Sequence, residues 1–196
     1  MIVSRETKSA LEEYQRLLLK WNKQLNLVAA STEADLWNRH IADSLQVFSI
    51  GPRTGLWADL GTGAGLPGLV VAIAAKQEAP DLKVVLVESD RRKASFCREV
   101  VRKLDLKAEI VAARIEEAEP LHADVVSARA LAPLSKLLGY AERHLGQGGM
   151  AIFPKGRSWQ SELQESLANW RFDVETLPSE TNPESVILKI GDLRRV

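Results

Sequence analysis

This 196-residue chain contains few cysteines and few histidines, and its formal net charge is zero. Each of these features argues against a particular kind of site or protein. The single cysteine, Cys97, excludes an intrachain disulfide and suits a reducing compartment. The three histidines, His40, His122 and His144, lie far apart without the spacing of metal ligands, so no metal site is predicted. Lysine plus arginine and aspartate plus glutamate number 26 each, which argues against capture of nucleic acid by overall charge but not against a local basic patch.

Long hydrophobic runs are absent as well. No apolar stretch reaches the length of a membrane span, and the N-terminal "MIVSRETKSALEEYQ" is too polar for a signal peptide. Hydrophobic residues make up 45% of the chain and charged residues 27%, which is typical of a globular protein. We therefore expect one domain, large enough to bury a hydrophobic core, in the cytoplasm and without contact with a membrane.

The N-terminal quarter has the periodicity of helices. Residues 4–24 place apolar side chains three and four positions apart, which predicts an amphipathic helix. A second helix is predicted in "AASTEADLWNRHIADSLQVF", with Ser31 or Thr32 as its N-terminal cap. Residues 1–50 are accordingly predicted to form a helical extension to a larger domain, residues 51–196.

From residue 55 onward, short apolar strands alternate with helical patterns. The strands are "GLWADL", "LKVVLVE", "AEIVAA", "ADVVSA" and "GMAIFPK". Helices are predicted at 67–76 and 91–103, with further helical stretches between the later strands. The final "WRFDVETLP" and "SVILKI" are too close for a helix and predict an antiparallel hairpin. This alternation indicates an α/β fold with a doubly wound, mostly parallel sheet, whose ligand lies beyond the carboxyl ends of the strands.

The loop "DLGTGAGLPG" after the first strand satisfies two cofactor patterns. Gly63, Gly65 and Gly68 form G-x-G-x-x-G, the dinucleotide pattern. Read from Asp59, the same loop forms D-x-G-x-G-x-G, the pattern of enzymes that bind S-adenosylmethionine. An acidic residue at the end of the next strand, Glu88, suits the ribose of either cofactor.

Physical arguments favour S-adenosylmethionine. Pro67 has no N–H to offer a pyrophosphate in the first turn of the helix. Asp59 is expected at the mouth of the site, where its carboxylate would repel a pyrophosphate but attract an ammonium and a sulfonium. The chain after the loop is long enough to finish one sheet, but not to add the substrate-binding region of a dehydrogenase.

The loop also resembles that of the bacterial small-subunit rRNA guanine-N7 methyltransferases, the RsmG or GidB family. Further similar stretches occur in the same order, and together they cover nearly the whole chain. They are "WNKQLNLVA", "RHIADSL", "VESDRRKASFCREV", "ARIEE", "VSARALAPL" and "PKGR". Ala64 stands where some members have proline.

The resemblance implies a Rossmann-like class I methyltransferase fold with a seven-stranded sheet and a helical N-terminal extension. It implies methyl transfer from S-adenosylmethionine to N7 of one guanine in the decoding region of 16S rRNA, free or in the small ribosomal subunit. Gly61 to Leu66 would hold the methionine portion and Glu88 the ribose, while Ile115 and Glu116 would frame the adenine. Arg129 would face the cofactor or the RNA. The complete set of cofactor-binding residues predicted for this chain is Asp59, Gly61, Gly63, Gly65, Leu66, Glu88, Ile115, Glu116 and Arg129.

For the part of the site that binds the RNA substrate, the sequence leaves alternatives open. Guanine N7 carries a lone pair, so no base is needed, and no catalytic dyad or triad is predicted. His40 and Asp43 share a helical face and form either an interhelical hydrogen-bond pair or part of a guanine pocket, as Arg129 could. Candidate RNA-binding cations are Lys155 and Arg157, favoured by their place at a strand end, and Arg39, Arg91, Arg92, Lys93, Arg194 and Arg195.

Two other functions stay open. One is a methyltransferase that acts on a small molecule or a protein, and the other is a nucleotide-responsive binding protein without catalysis. A monomer is expected.

Overall fold

The computed structural model describes residues 3–196, which form a seven-stranded sheet covered by helices on both faces. The strand order is β3-β2-β1-β4-β5-β7-β6. All neighbouring strands are parallel except β7, which runs antiparallel to β5 and β6. The strands are β1 (Gly55–Leu60), β2 (Leu82–Val87), β3 (Ala108–Val111), β4 (Ala123–Ser127), β5 (Leu145–Lys155), β6 (Trp170–Pro178) and β7 (Val186–Arg195). The predicted sheet and terminal hairpin are confirmed.

Six α-helices surround the sheet within the described residues. They are α1 (Arg5–Leu25), α2 (Asp43–Ser49), α3 (Gly68–Glu78), α4 (Arg91–Leu104), α5 (Leu134–His144) and α6 (Trp159–Ser166). Ser4 caps α1 by accepting the Thr7 amide at 3.0 Å, and Asp90 caps α4 by accepting the Arg92 amide at 2.8 Å. The predicted boundaries of α1, α3 and α4 therefore hold to within two residues.

Two predicted helices differ. The second N-terminal helix is a 3₁₀ segment (Ala30–Asp35), a π-helical turn (Trp37–Ala42) and then α2. The predicted cap fails because Thr32 donates its hydroxyl to the Ala29 carbonyl at 2.8 Å, so neither Ser31 nor Thr32 caps a helix. Between β3 and β4 there is only a turn, in which the amides of Glu117 and Ala118 donate to the Arg114 carbonyl.

Two apolar clusters fill the space on either side of the sheet. The first joins α1 and α2 to α3, α4 and β1, with Leu11, Tyr14, Phe48, Trp57 and Phe96 fully buried. The second joins α5 to β4–β7. The N-terminal helices thus share a core with the sheet, and the division at residue 50 stays a prediction.

Candidate functional site

A cavity of about 450 Å³ opens at the carboxyl ends of β1, β2, β3 and β4. β1 and β4 are neighbours in the sheet, and the chain progresses outward from them in opposite directions, so this is the point where strand order reverses. The walls are the glycine loop 61–66, Glu88 with Ser89, segment 113–116, segment 129–131 and, from α5, Lys136 and Tyr140. Position and size match the predicted cofactor site.

The glycines of the loop serve different purposes. A Cβ at Gly65 would lie 2.2 Å from Leu69 Cδ1, and one at Gly68 would lie 2.7 Å from Asp59 Oδ2, so these glycines let neighbouring parts of the protein approach. Gly63 has φ +56° and borders the cavity. The nearest atom to a Cβ there would be a carbonyl oxygen 3.9 Å away, so this glycine leaves room beside the cavity.

The side of the loop away from the cavity is held by two buried side chains from different helices. The Tyr14 hydroxyl of α1 donates to the Ala64 carbonyl at 2.8 Å, and the Cys97 thiol of α4 contacts the Gly63 carbonyl at 3.7 Å. Burial raises the pKa of both groups, so both stay protonated donors. Periodicity alone placed Tyr14 and Cys97 on the apolar faces of their helices, and nothing in the pattern indicated contact with the loop.

Asp59 is placed differently from the prediction. Its side chain is fully buried behind the loop, where it accepts hydrogen bonds from Ser127 Oγ at 2.7 Å, the Gly68 amide at 3.0 Å and the Thr62 hydroxyl. Burial raises its pKa to about 6, although these three donors favour the ionised form. The expectation that Asp59 lies at the mouth and attracts the cofactor's cationic groups is therefore wrong, because the carboxylate is used to fix the loop.

The start of α3 does not form an anion site. The Gly68 amide donates to Asp59, and the Leu69 amide donates to the Gly65 carbonyl at 2.7 Å. A pyrophosphate would need amides at the helix N-terminus that are free to donate to it, without a carboxylate as their partner. The structure thus supports the choice of a sulfonium cofactor over a dinucleotide.

Glu88 ends β2 at the cavity wall and is 7% exposed. One carboxylate oxygen accepts the Gly63 amide and the other the Asp90 amide, both at 2.8 Å. Each oxygen has a second lone pair, so the carboxylate can still accept a hydroxyl from a bound sugar. This geometry fits the ribose role predicted for Glu88.

The opposite wall carries the residues predicted to frame the adenine. Ile115 is nearly buried there, and its carbonyl accepts His144 Nε2 at 2.9 Å. Glu116 accepts the Tyr140 hydroxyl at 2.6 Å, which lowers the pKa of Glu116. Tyr140 and Lys136 also line the cavity, although the sequence pattern gave no indication of them.

Arg129 joins the cavity to the N-terminal helices. Its guanidinium contacts His40 Nδ1 at 2.7 Å, the Arg39 carbonyl at 3.3 Å and Asp43 Oδ2 at 3.5 Å. Burial and the positive charge of Arg129 lower the pKa of His40 to about 4, so the imidazole is neutral and accepts through Nδ1. Its Nε2 then donates to Thr32 Oγ1 at 2.9 Å. The side chains of His40 and Asp43 are thus linked through Arg129 and share no hydrogen bond with each other.

A second cavity of about 220 Å³ adjoins the first and shares Arg129 and Ala130 with it. Lys155 lies in its wall, but its ammonium pairs with Glu162 at 2.6 Å and donates to the Ala132 carbonyl. With 10% of its side chain exposed and this ion pair formed, Lys155 is less accessible to a phosphate than expected, and its role in RNA binding stays a prediction. Arg157 next to it is 81% exposed and pairs with Glu184 at the surface.

The other candidate cations are distributed over several surfaces. Lys93 borders the first cavity, Arg39 borders the second, and Arg92 is 74% exposed with a loose contact to Asp90. Arg195 pairs with Glu142 at 2.9 Å and stacks over Trp170, away from both cavities.

Residues 3–196 contain no group of three or more histidine, cysteine, aspartate or glutamate side chains arranged to hold a metal ion. In the same part of the chain, every helix is too short or too polar to span a bilayer.

Comparison with known proteins decides the family. The family described as GidB, rRNA small subunit methyltransferase G, matches residues 7–185. The chain belongs to this family. It is 47% identical over 194 residues to the Ribosomal RNA small subunit methyltransferase G of Ruegeria pomeroyi, covering 99% of this chain and 95% of that one. The protein of the same name from Paracoccus denitrificans is 48% identical over 196 residues, covering 99% of both.

Solved structures share the fold at low sequence identity. The mitomycin 7-O-methyltransferase MmcR has a TM-score of 0.62 at 15% identity, over 95% of this chain and 67% of that one. A SAM-dependent methyltransferase from Aquifex aeolicus has a TM-score of 0.60 at 15% identity, over 89% of this chain and 97% of that one. The predicted family, fold, enzyme class and cofactor are confirmed: the chain is an S-adenosylmethionine-dependent methyltransferase.

Proposed function

We propose that this chain transfers a methyl group from S-adenosylmethionine to N7 of a single guanine in 16S rRNA of the small ribosomal subunit. The observation that carries the proposal is the pair of adjoining cavities that share Arg129, one large enough for a nucleoside cofactor and the other for a base. Relatives named for methylation of small-subunit rRNA, matched over nearly their whole length, supply the substrate class.

The residues that line the first cavity support its assignment to the cofactor. Glu88 would accept the ribose hydroxyls through its remaining lone pairs, and Ile115 and Glu116 would hold the adenine near the end of β3. Gly63 leaves the space for the methionine portion. When bound, S-adenosylmethionine supplies an electrophilic methyl group, and the C–S bonding pair stays on sulfur as the lone pair of N7 forms the new bond.

No proton has to be removed in this reaction, and the titratable groups around the site are consistent with that. The His40 imidazole is engaged at both nitrogens, and burial raises the pKa of Tyr14 and Cys97, whose protons are donated to the loop. The contribution of the chain is to hold cofactor and base in line, and alignment alone can supply several kcal/mol of the barrier.

The RNA backbone is contacted by exposed cations around the two cavities. Arg157 and Arg39 lie on the side of the second cavity, and Arg91, Arg92 and Lys93 on the side of the first. The enzyme acts in the cytoplasm, where its ribosomal substrate is found, and is proposed to be a monomer.

Transfer of tritium from labelled S-adenosylmethionine tests this function. Label should enter 16S rRNA, free or in 30S subunits, and nuclease digestion should release it as 7-methylguanosine from one position. Label on a ribosomal protein, or on no macromolecule, would favour the alternative of a protein or small-molecule substrate. Binding of S-adenosylmethionine without any transfer would favour a sensor.

A further inference from the structure

The second cavity contains one carboxylate that is only weakly hydrogen-bonded. Asp43 lines it with a side chain 14% exposed. One oxygen is 3.4 Å from Ser179 Oγ and 3.3 Å from Thr181 Oγ1, and the other is 3.5 Å from Arg129 Nη1. Good hydrogen bonds to a carboxylate are about 2.5–2.9 Å long, so both oxygens keep most of their accepting capacity.

Of the other charged groups that line this cavity, Lys155, Glu162 and Arg129 have close partners, whereas Arg39 is largely exposed. Lys155 and Glu162 neutralise each other at 2.6 Å, and Glu162 also accepts Ser158 Oγ at 2.7 Å and the Leu134 amide at 2.8 Å. Arg129 is hydrogen-bonded to His40 Nδ1 at 2.7 Å, which is a closer contact than its 3.5 Å ion pair with Asp43. The ion pair therefore leaves Asp43 with room to accept further donors.

We infer that Asp43 recognises the target base by accepting hydrogen bonds from guanine N1–H and from its exocyclic amino group. This inference rests on the proposed function. A guanine whose N7 points toward the first cavity directs its opposite edge, with these two adjacent donors, into the second. The two oxygens of a carboxylate match two parallel donors, as they match the fork of arginine.

The same geometry rejects adenine. Adenine presents an acceptor at N1 and has no amino group at C2, so its edge would bring a lone pair against the carboxylate and offer it no donor. Enzymes that modify a base commonly take it out of the stack and read its Watson–Crick edge in such a pocket. Asp43 is thus the residue that would distinguish the two purines.

The test compares two substrates that differ by one group. 16S rRNA is assembled by ligation with either guanosine or inosine at the target position, because inosine keeps N7 and N1–H but lacks the amino group. Rates of tritium transfer are measured with the wild type, with Asp43→Asn, and with Asp35→Asn. Asp35 is a matched control, since it is exposed, belongs to the same N-terminal segment and lines neither cavity.

The wild type and Asp35→Asn should use the inosine substrate about tenfold less efficiently, which is typical for loss of part of a bidentate contact. Asp43→Asn should be slower on guanosine and use the two RNAs to within about threefold of each other. If Asp43→Asn keeps the wild-type preference, or if the wild type shows none, the inference is overturned.

Binding of the two RNAs to the S-adenosylhomocysteine complex gives the same comparison when turnover of a variant is too slow to measure. Equal affinity of Asp43→Asn for both RNAs supports the inference, and a retained preference for guanosine overturns it. A wild type that methylates neither RNA would overturn the proposed function instead, so the two failures are distinguishable.

Discussion

Substitutions of the loop glycines can distinguish a glycine that leaves room for the ligand from one that lets two parts of the protein pack closely. At Gly63, valine places a branched side chain beside the cavity with no protein atom closer than 3.9 Å to its Cβ. The positive φ of +56° costs about 1–2 kcal/mol for a side chain. We expect a folded variant that has lost at least tenfold in affinity for S-adenosylhomocysteine, because the branches occupy the space of the ligand.

Gly148→Val is the matched control. It has a similar φ of +75° and nothing within 4 Å of a Cβ, and it does not line the first cavity. It should lose the same stability, visible as a fall of about 2–4 °C in Tm per kcal/mol, without losing affinity. Gly68→Ala makes the opposite comparison, since its Cβ would lie 2.8 Å from Asp59 Cβ. Overpacking there should cost about 1–3 kcal/mol of stability.

Isothermal titration calorimetry with S-adenosylhomocysteine, performed well below the Tm of each variant, gives the affinities. Gly63→Val with affinity within twofold of the wild type would refute the placement of the cofactor in this cavity. A loss of affinity in Gly148→Val as large as that in Gly63→Val would attribute the effect to general destabilisation.

Three further outcomes follow from the contacts described. Asp59→Ala leaves three donors without their acceptor and should lower the free energy of unfolding by about 3 kcal/mol, measured by urea denaturation. A loss below about 1 kcal/mol would contradict the role assigned to Asp59. Lys155→Ala breaks a nearly buried ion pair and should lower the free energy of unfolding by about 3 kcal/mol. Arg157→Ala should keep the Tm and lower the salt slope of RNA binding by somewhat less than one unit, and the reverse pattern would support Lys155 as a phosphate ligand. His40 has a pKa lowered to about 4, so the unfolded chain takes up this proton first as the pH falls from about 6.5 to 4, and the stability should fall by up to about 3 kcal/mol. The variant His40→Gln should lack this part of the pH dependence, and an unchanged profile would contradict the buried neutral imidazole.

The sheet and the position of the loop were predictable because they depend on patterns along the chain. Apolar runs such as "VVLV", rich in β-branched residues, indicate strands buried on both faces, and a glycine loop after the first strand must lie at the carboxyl edge of the sheet. The partners of individual charges were not predictable in the same way. Lys155 follows a strand end as expected, but Glu162 comes from α6, seven residues later, and only packing brings the two together.

Asp59 shows the same limit within the motif itself. The spacing D-x-G-x-G-x-G identifies the loop, but it does not say which way the carboxylate points. Its direction depends on Ser127 at the end of β4, which pairs with β1 but lies 68 positions away. The missing helix between β3 and β4 has a local cause, since Ile115 and Ala118 provide one apolar turn before Pro120 and no more.

The way the glycine loop is anchored has a consequence for binding. Asp59 accepts the hydroxyl of Thr62, and Glu88 accepts the amide of Gly63. Tyr14 and Cys97 donate to two of the loop carbonyls, so side chains from several elements hold the loop. A loop so rich in glycine would otherwise lose much conformational entropy on meeting a ligand. Here that loss is incurred during folding, and the receptor is preorganised before the ligand arrives. The affinity of the cavity therefore depends on α1 and α4, neither of whose anchoring side chains needs to contact the cofactor.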